Sequence, residues 1–196
     1  MDNINPKSLQ KPNKSPRYYL AYGDNLNPKQ MRRRCPNAKR VDDAMLKGYR
    51  LAFKGEKDNA YLTIEPDEKR YVAAGVYRLT PSDEASLDRY EDYPNTYIKK
   101  SFTIYLKGRP VNAFAYVMTE GREYNNPSNE YLKKVREGYE SFGFDQLLIR
   151  FALDRYEKEY ICWVTCIVDG QLMSIPKKLE MGDKMRVSRF VNEDRH

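Results

Sequence analysis

Two short stretches of the chain have the residue types and spacing to do chemistry. The first is Tyr22-Gly23-Asp24-Asn25-Leu26, which ends an aromatic, strand-like run, R-Y-Y-L-A, and breaks it with small polar residues just before a helix start. Backbone N–H groups at such a strand-to-helix turn sit at the positive end of the helix dipole and form a small cup for an anion. Taken alone, the same turn is also readable as a tight connection that holds no ligand. The second is Glu91, four residues after Leu87 and so on the same helix face. With Leu87 buried, Glu91 points inward near the negative end of the dipole, and both effects raise its affinity for a proton. The alternative is an ordinary acidic surface shared with Glu84, Asp88 and Asp92.

What the chain lacks narrows the chemistry. Its only histidine is His196, which argues against a Ser-His-Asp or Cys-His site and against histidine-ligated zinc. A proton carrier must then be a carboxylate, lysine, tyrosine or thiol. The three cysteines, Cys35, Cys162 and Cys166, form no paired framework and suggest a reducing compartment. Cys162 and Cys166 stand about 13 Å apart at strand rise and read as packing residues. Seventeen tyrosines supply rings with hydroxyls that need partners, and Tyr97, Tyr116 and Tyr131 are candidates to line a pocket. The net charge of +7 arises from 35 basic and 28 acidic residues, a mixed surface with a basic tilt. The Arg32-Arg33-Arg34 run is readable as a phosphate site, but a solvated face of a short helix is the preferred reading, so nucleic acid is not an expected partner.

The elements that must position these residues are well punctuated. Residues 1–16 are polar and proline-rich and read as a flexible tail without an apolar signal segment. After the turn, Asn27 is an N-cap with Pro28 at the first helical position, Gln30 as a capping-box partner, and Leu26 and Met31 as a hydrophobic staple. Residues 49–53, 60–64 and 72–79 read as three strands of a meander, separated by K-G-E-K-D-N and P-D-E-K-R, with Gly75 marking a bulge or close backbone approach. Thr80, Pro81 and Asp83 open the helix that carries Glu91. Residues 102–106 and 111–117 form a hairpin across K-G-R-P. Apolar Tyr131, Val135, Tyr139 and Phe142 predict a helix stopping at Gly143, and Asp145 caps another. Near the C-terminus, Asp169-Gly170 reads as the turn of a β-hairpin. No run reaches membrane-spanning length, and a soluble, cytoplasmic protein is expected.

The motifs Y-G-D-N-L, N-P-K-Q-M-R-R-R-C-P, G-Y-R-L-A-F, G-V-Y-R-L-T, L-D-R-Y-E and P-S-N-E-Y-L occur in that order between Tyr18 and Phe142. Together they resemble the gamma-glutamylcyclotransferase-like family. The resemblance implies an α+β fold: a small mixed β-barrel of about six strands with flanking helices over residues 17–144. Residues 145–196 are expected to form a helix and hairpin extension packed on the same domain.

It also implies that Tyr22, Gly23, Asp24, Asn25 and Leu26 hold a gamma-glutamyl head group and that Glu91 is catalytic. The implied reaction is cyclisation of a gamma-glutamyl amine or peptide to 5-oxoproline, with a place in glutathione metabolism. It needs no metal or cofactor, because the substrate's own α-amine is the nucleophile. The expected partners are a gamma-glutamyl small molecule and a second copy in a homodimer, with no membrane. The chain departs from the family's Y-G-S-N at Asp24, whose carboxylate would repel a substrate carboxylate and favour an ammonium. Three outcomes stand: a gamma-glutamyl substrate whose carboxylate is held elsewhere, a different cationic or amide ligand, or a non-catalytic small-molecule-binding protein that keeps fold and pocket.

Overall fold

The computed structural model describes residues 17–154, 161–168 and 171–178. Its centre is β1 (Arg17–Ala21), whose Tyr19, Leu20 and Ala21 are buried, as a short strand covered on both sides requires. Antiparallel to β1 runs β3 (Asn59–Leu79), and parallel to it on the other side runs β5 (Arg109–Met118). With β2 (Lys39–Glu56) and β4 (Tyr97–Leu106) the sheet has the order β2-β3-β1-β5-β4.

This α+β sheet is open, with β2 and β4 at its edges, and replaces the expected six-stranded barrel. The strand count differs because P-D-E-K-R does not end a strand. Pro66 pairs with Tyr49 and Tyr71 with Lys47, so β3 leaves β2 and returns to the same neighbour. Residues 67–70 bulge out opposite Gly48, which has φ +80°. Asp67 secures the bulge by accepting the Lys69 N–H at 3.1 Å and pairing with Arg70 at 3.5 Å. A bulge bends and twists a strand without starting a new one.

Among the described residues four helices accompany the sheet, and three of them start at caps that the sequence marked, Asn27, Thr80 and Asp145. Asn27 caps α1 (Pro28–Arg34) by accepting the Lys29 N–H at 3.0 Å. Gln30 closes no capping box there, because its Oε1 accepts from Arg33 instead, at 3.1 Å. In α2 (Pro81–Tyr90) the Thr80–Asp83 box is complete in both directions, and Asp83 is buried with it. Ser128 caps α3 (Asn129–Phe142), which ends at Gly143 with φ +70°. Asp145 accepts the Leu147 N–H at 2.9 Å to start α4 (Leu147–Leu153), which packs along β2.

Two glycines bring α3 and its C-terminal end close to the strand-to-helix turn and the sheet. A Cβ on Gly138 would stand 2.7 Å from Leu26 Cβ and 2.8 Å from the Asn27 nitrogen. In β3, a Cβ on Gly75 would meet the Phe142 ring at 2.4 Å, which is the close approach its place in a strand signalled.

Strands β6 (Ile161–Val168) and β7 (Gln171–Lys178) pair antiparallel in a sheet of their own, within a second compact unit that begins at Asp154. Residues 1–16, the Asp169-Gly170 turn, the side chains of Cys162 and Cys166, and His196 lie outside the described residues. Among the described residues no helix is long and apolar enough to cross a membrane.

Candidate active site

After β1 the chain passes through a single 3-10 turn, Asp24–Leu26, closed by Leu26 N–H to Gly23 O and Asn27 N–H to Asp24 O, each at 3.0 Å. These bonds use none of the N–H groups of Gly23, Asp24 and Asn25. Asp24, Asn25 and Leu26 are all buried, because β1 delivers the turn beneath α3.

A buried carboxylate requires a counter-charge. For Asp24 that charge is Arg34, whose Nη2 lies 2.7 Å from Oδ2 with both side chains less than a tenth exposed. The guanidinium also lies against the Tyr90 ring, 3.5 Å from its centroid. The Tyr90 hydroxyl donates to Asp24 Oδ2 at 3.2 Å. Arg34 Nη1 donates to Asn25 Oδ1 at 2.5 Å, and Asn25 Nδ2 donates to Glu91 Oε1 at 2.8 Å and to the Tyr19 hydroxyl at 2.9 Å. One polar chain therefore runs from Asp24 through Arg34 and Asn25 to Glu91.

Glu91 follows directly on α2, and its N–H still donates to Leu87 O at 2.8 Å, so its side chain continues the face of the fully buried Leu87. The residue as a whole is half-buried, but its carboxyl group is enclosed. Burial first, and then the neighbouring Asp24 carboxylate, push Glu91 up to about 8, against the opposing pull of Arg34 and the Asn25 amide. At neutral pH it is therefore mostly protonated.

The tyrosines divide by task. The Tyr22 hydroxyl donates to the Tyr116 carbonyl. Tyr97 donates to Leu62 O at 3.0 Å, while Tyr131 accepts the Leu62 N–H at 3.1 Å, so these two hydroxyls hold the β3 backbone. Tyr131 also lies 3.3 Å from where a Cβ on Gly23 would stand. Tyr116 donates to Asp88 at 2.6 Å and ties β5 to α2, where Lys99 bridges Asp88 and Glu84 at 2.7 Å each. None of these three hydroxyls is bonded to Glu91; they brace the elements around it. Burial pushes each of them up, with the Glu91 charge a smaller contributor, so they present neutral hydroxyls near the carboxyl group.

Arg34 is the member of the polar chain that the sequence left among solvated arginines. Arg32 and Arg33 are exposed as expected, but Arg34 turns inward. The available signal was helical: Arg34 lies seven residues after the Asn27 cap, two turns on, and faces back to the start of the helix. An open groove of about 810 Å³ runs along α3 and the segment that follows it, and its lining includes neither the turn nor Glu91. Among the described residues no cluster of three or more His, Cys, Asp or Glu is arranged to hold a metal ion.

A family model described as Gamma-glutamyl cyclotransferase, AIG2-like, matches residues 19–139, from β1 to α3, and so includes the turn, Arg34 and Glu91. The chain belongs to this family. No curated protein matches the sequence. Among solved structures, one titled gamma-glutamyl cyclotransferase superimposes with TM-score 0.63 at 22% identity, covering 74% of this chain and 91% of that one. An uncharacterized protein of Homo sapiens also gives 0.63, at 23% identity, with coverage of 77% and 94%. YkqA of Bacillus subtilis gives 0.61 at 22% identity, covering 71% of this chain and 55% of its own length. At these identities the likeness is one of fold. The gamma-glutamyl cyclotransferase, AIG2-like match thus lies within the first compact unit and leaves α4, β6 and β7 beyond the matched segment.

Proposed function

We propose that this family member is a gamma-glutamyl cyclotransferase that converts a gamma-glutamyl amine or peptide into 5-oxoproline and a free amine. The observation that carries this reading is the enclosed Glu91 carboxyl, held at about 8 and hydrogen-bonded to Asn25 of the family turn. In the proposed step the substrate's α-ammonium gives a proton to Glu91, and the freed amine attacks its own γ-carbonyl. The C–N bond to the leaving amine then breaks as Glu91 returns that proton to it, and the second proton of the ring nitrogen passes through Glu91 to the released amine, which leaves as an ammonium. Because Oε1 already accepts from Asn25, Oε2 is the atom that takes and returns the proton. A group near 8 is poised for both roles: an arriving ammonium draws it toward ionisation, and its loss on cyclisation restores the acid. The uncommitted N–H groups of the turn are suited to the developing oxyanion. Folding the substrate so that amine and carbonyl meet supplies the remainder.

The second reading, a binding protein that has lost the chemistry, rests on Asp24 in the serine position. The Arg34 pair weighs against it, since Asp24 brings no uncompensated negative charge into the cup. A panel of gamma-glutamyl amines and peptides, assayed for 5-oxoproline, separates the two. Turnover of any member supports the cyclotransferase. Tight binding across the panel without product supports the binding protein.

A further inference from the structure

We propose that Arg34 is a positioning residue for this reaction: it locks the Asn25 amide in one orientation and thereby keeps Oε2 of Glu91 free to exchange a proton, with Asp24 and Tyr90 as its clamp. This rests on the cyclotransferase reading given above.

A guanidinium can only donate, so the Asn25 atom 2.5 Å from Arg34 Nη1 must be the amide oxygen. The amide nitrogen is then turned toward Glu91 Oε1 and the Tyr19 hydroxyl. Without Arg34 the amide can flip and present its oxygen to Glu91. A protonated Glu91 would then donate its O–H to that oxygen, and the proton needed for transfer would be held in a local bond. Arg34 itself is fixed from three sides, by the Asp24 carboxylate at 2.7 Å, the Tyr90 ring and the Asn25 oxygen. Asp24 thereby gains a task as the anchor of Arg34. The charged groups facing Glu91 are Asp24 from the turn and Arg34 from α1. Tyr19 of β1, Tyr22 just after it, Tyr90 of α2 and Cys35 after α1 are pushed up by burial and stay neutral while Glu91 titrates.

Arg34→Lys keeps the charge opposite Asp24 but replaces the planar fork, which serves two acceptors at once, with a point charge. The expected result is a folded protein with KM within about threefold of wild type and kcat lower by about 10- to 100-fold. A folded Arg34→Lys with wild-type kcat overturns the proposal. An independent readout in the wild-type protein is NMR of the Asn25 side-chain amide, which needs no turnover. Its proton resonances should shift together with Glu91 near pH 8, and that shift should vanish in Glu91→Gln. Resonances insensitive to Glu91 overturn the proposal even where Arg34→Lys does not fold. If no gamma-glutamyl compound is turned over but the amide tracks Glu91, the locked amide stands and the assigned reaction falls.

Discussion

Holding a carboxyl group ready for proton transfer should destabilise the fold at neutral pH, and Glu91→Gln should recover that loss. In the unfolded chain Glu91 titrates near 4.5, and in the folded chain near 8. Between these values the folded chain keeps a proton that the unfolded chain has released, so stability falls by about 1.4 kcal/mol per pH unit. The contribution is fully present below about pH 4 and is lost as pH rises through 8. Integrated, the loss is about 3 kcal/mol at pH 7 and about 5 kcal/mol above pH 8. Glutamine keeps a carbonyl oxygen for the Asn25 N–H but carries no charge. The variant should therefore match wild type near pH 4 and become progressively more stable as pH rises, in urea melts read by circular dichroism. Taking the difference between the two proteins cancels the titration of the other acidic residues. Parallel stability curves from pH 4 to 9 would mean instead that Glu91 is an ordinary solvated carboxylate.

Asp24→Asn removes the neighbouring charge that raises Glu91 and strips Arg34 of its partner, so two outcomes follow from one change. The Glu91 midpoint, followed by carboxyl NMR, should fall, and stability should drop by about 3–5 kcal/mol for a charge left buried and unpaired. Gly138→Ala should lower stability by about 1–3 kcal/mol and reduce 5-oxoproline release, because the new methyl presses on Leu26 and Asn27; thermal melts and turnover check it. Tyr139 is fully buried with a hydroxyl that has no partner. Tyr139→Phe should be neutral or stabilising by up to about 1 kcal/mol in the same melts.

Sequence signals located the parts of the site that depend on local backbone chemistry. Asn27-Pro28 and Thr80-Pro81 with Asp83 start α1 and α2 where expected, and the Leu87–Glu91 spacing places the carboxylate inward. Gly75 marked a close approach because a strand interior gains nothing else from glycine. What escaped was set by partners distant in sequence. P-D-E-K-R has the composition of a turn, and only its return to β2 makes it a bulge within β3. With that pairing, the expected barrel becomes an open five-stranded sheet. Tyr97 and Tyr131 have hydroxyls that suit a pocket, but both meet the backbone of one residue, Leu62. Arg34 looked like one of three solvated arginines, although a buried Asp24 had to be matched by a cation within reach.

In the proposed reaction Glu91 takes and returns the proton that drives cyclisation. Its most direct test is 5-oxoproline formation by wild-type and Glu91→Gln protein at equal folded concentration, on whichever gamma-glutamyl compound the wild type turns over best. Glu91→Gln, more stable at neutral pH, should lose about 100- to 10,000-fold in kcat. Product formation at the wild-type rate by the glutamine variant would contradict it.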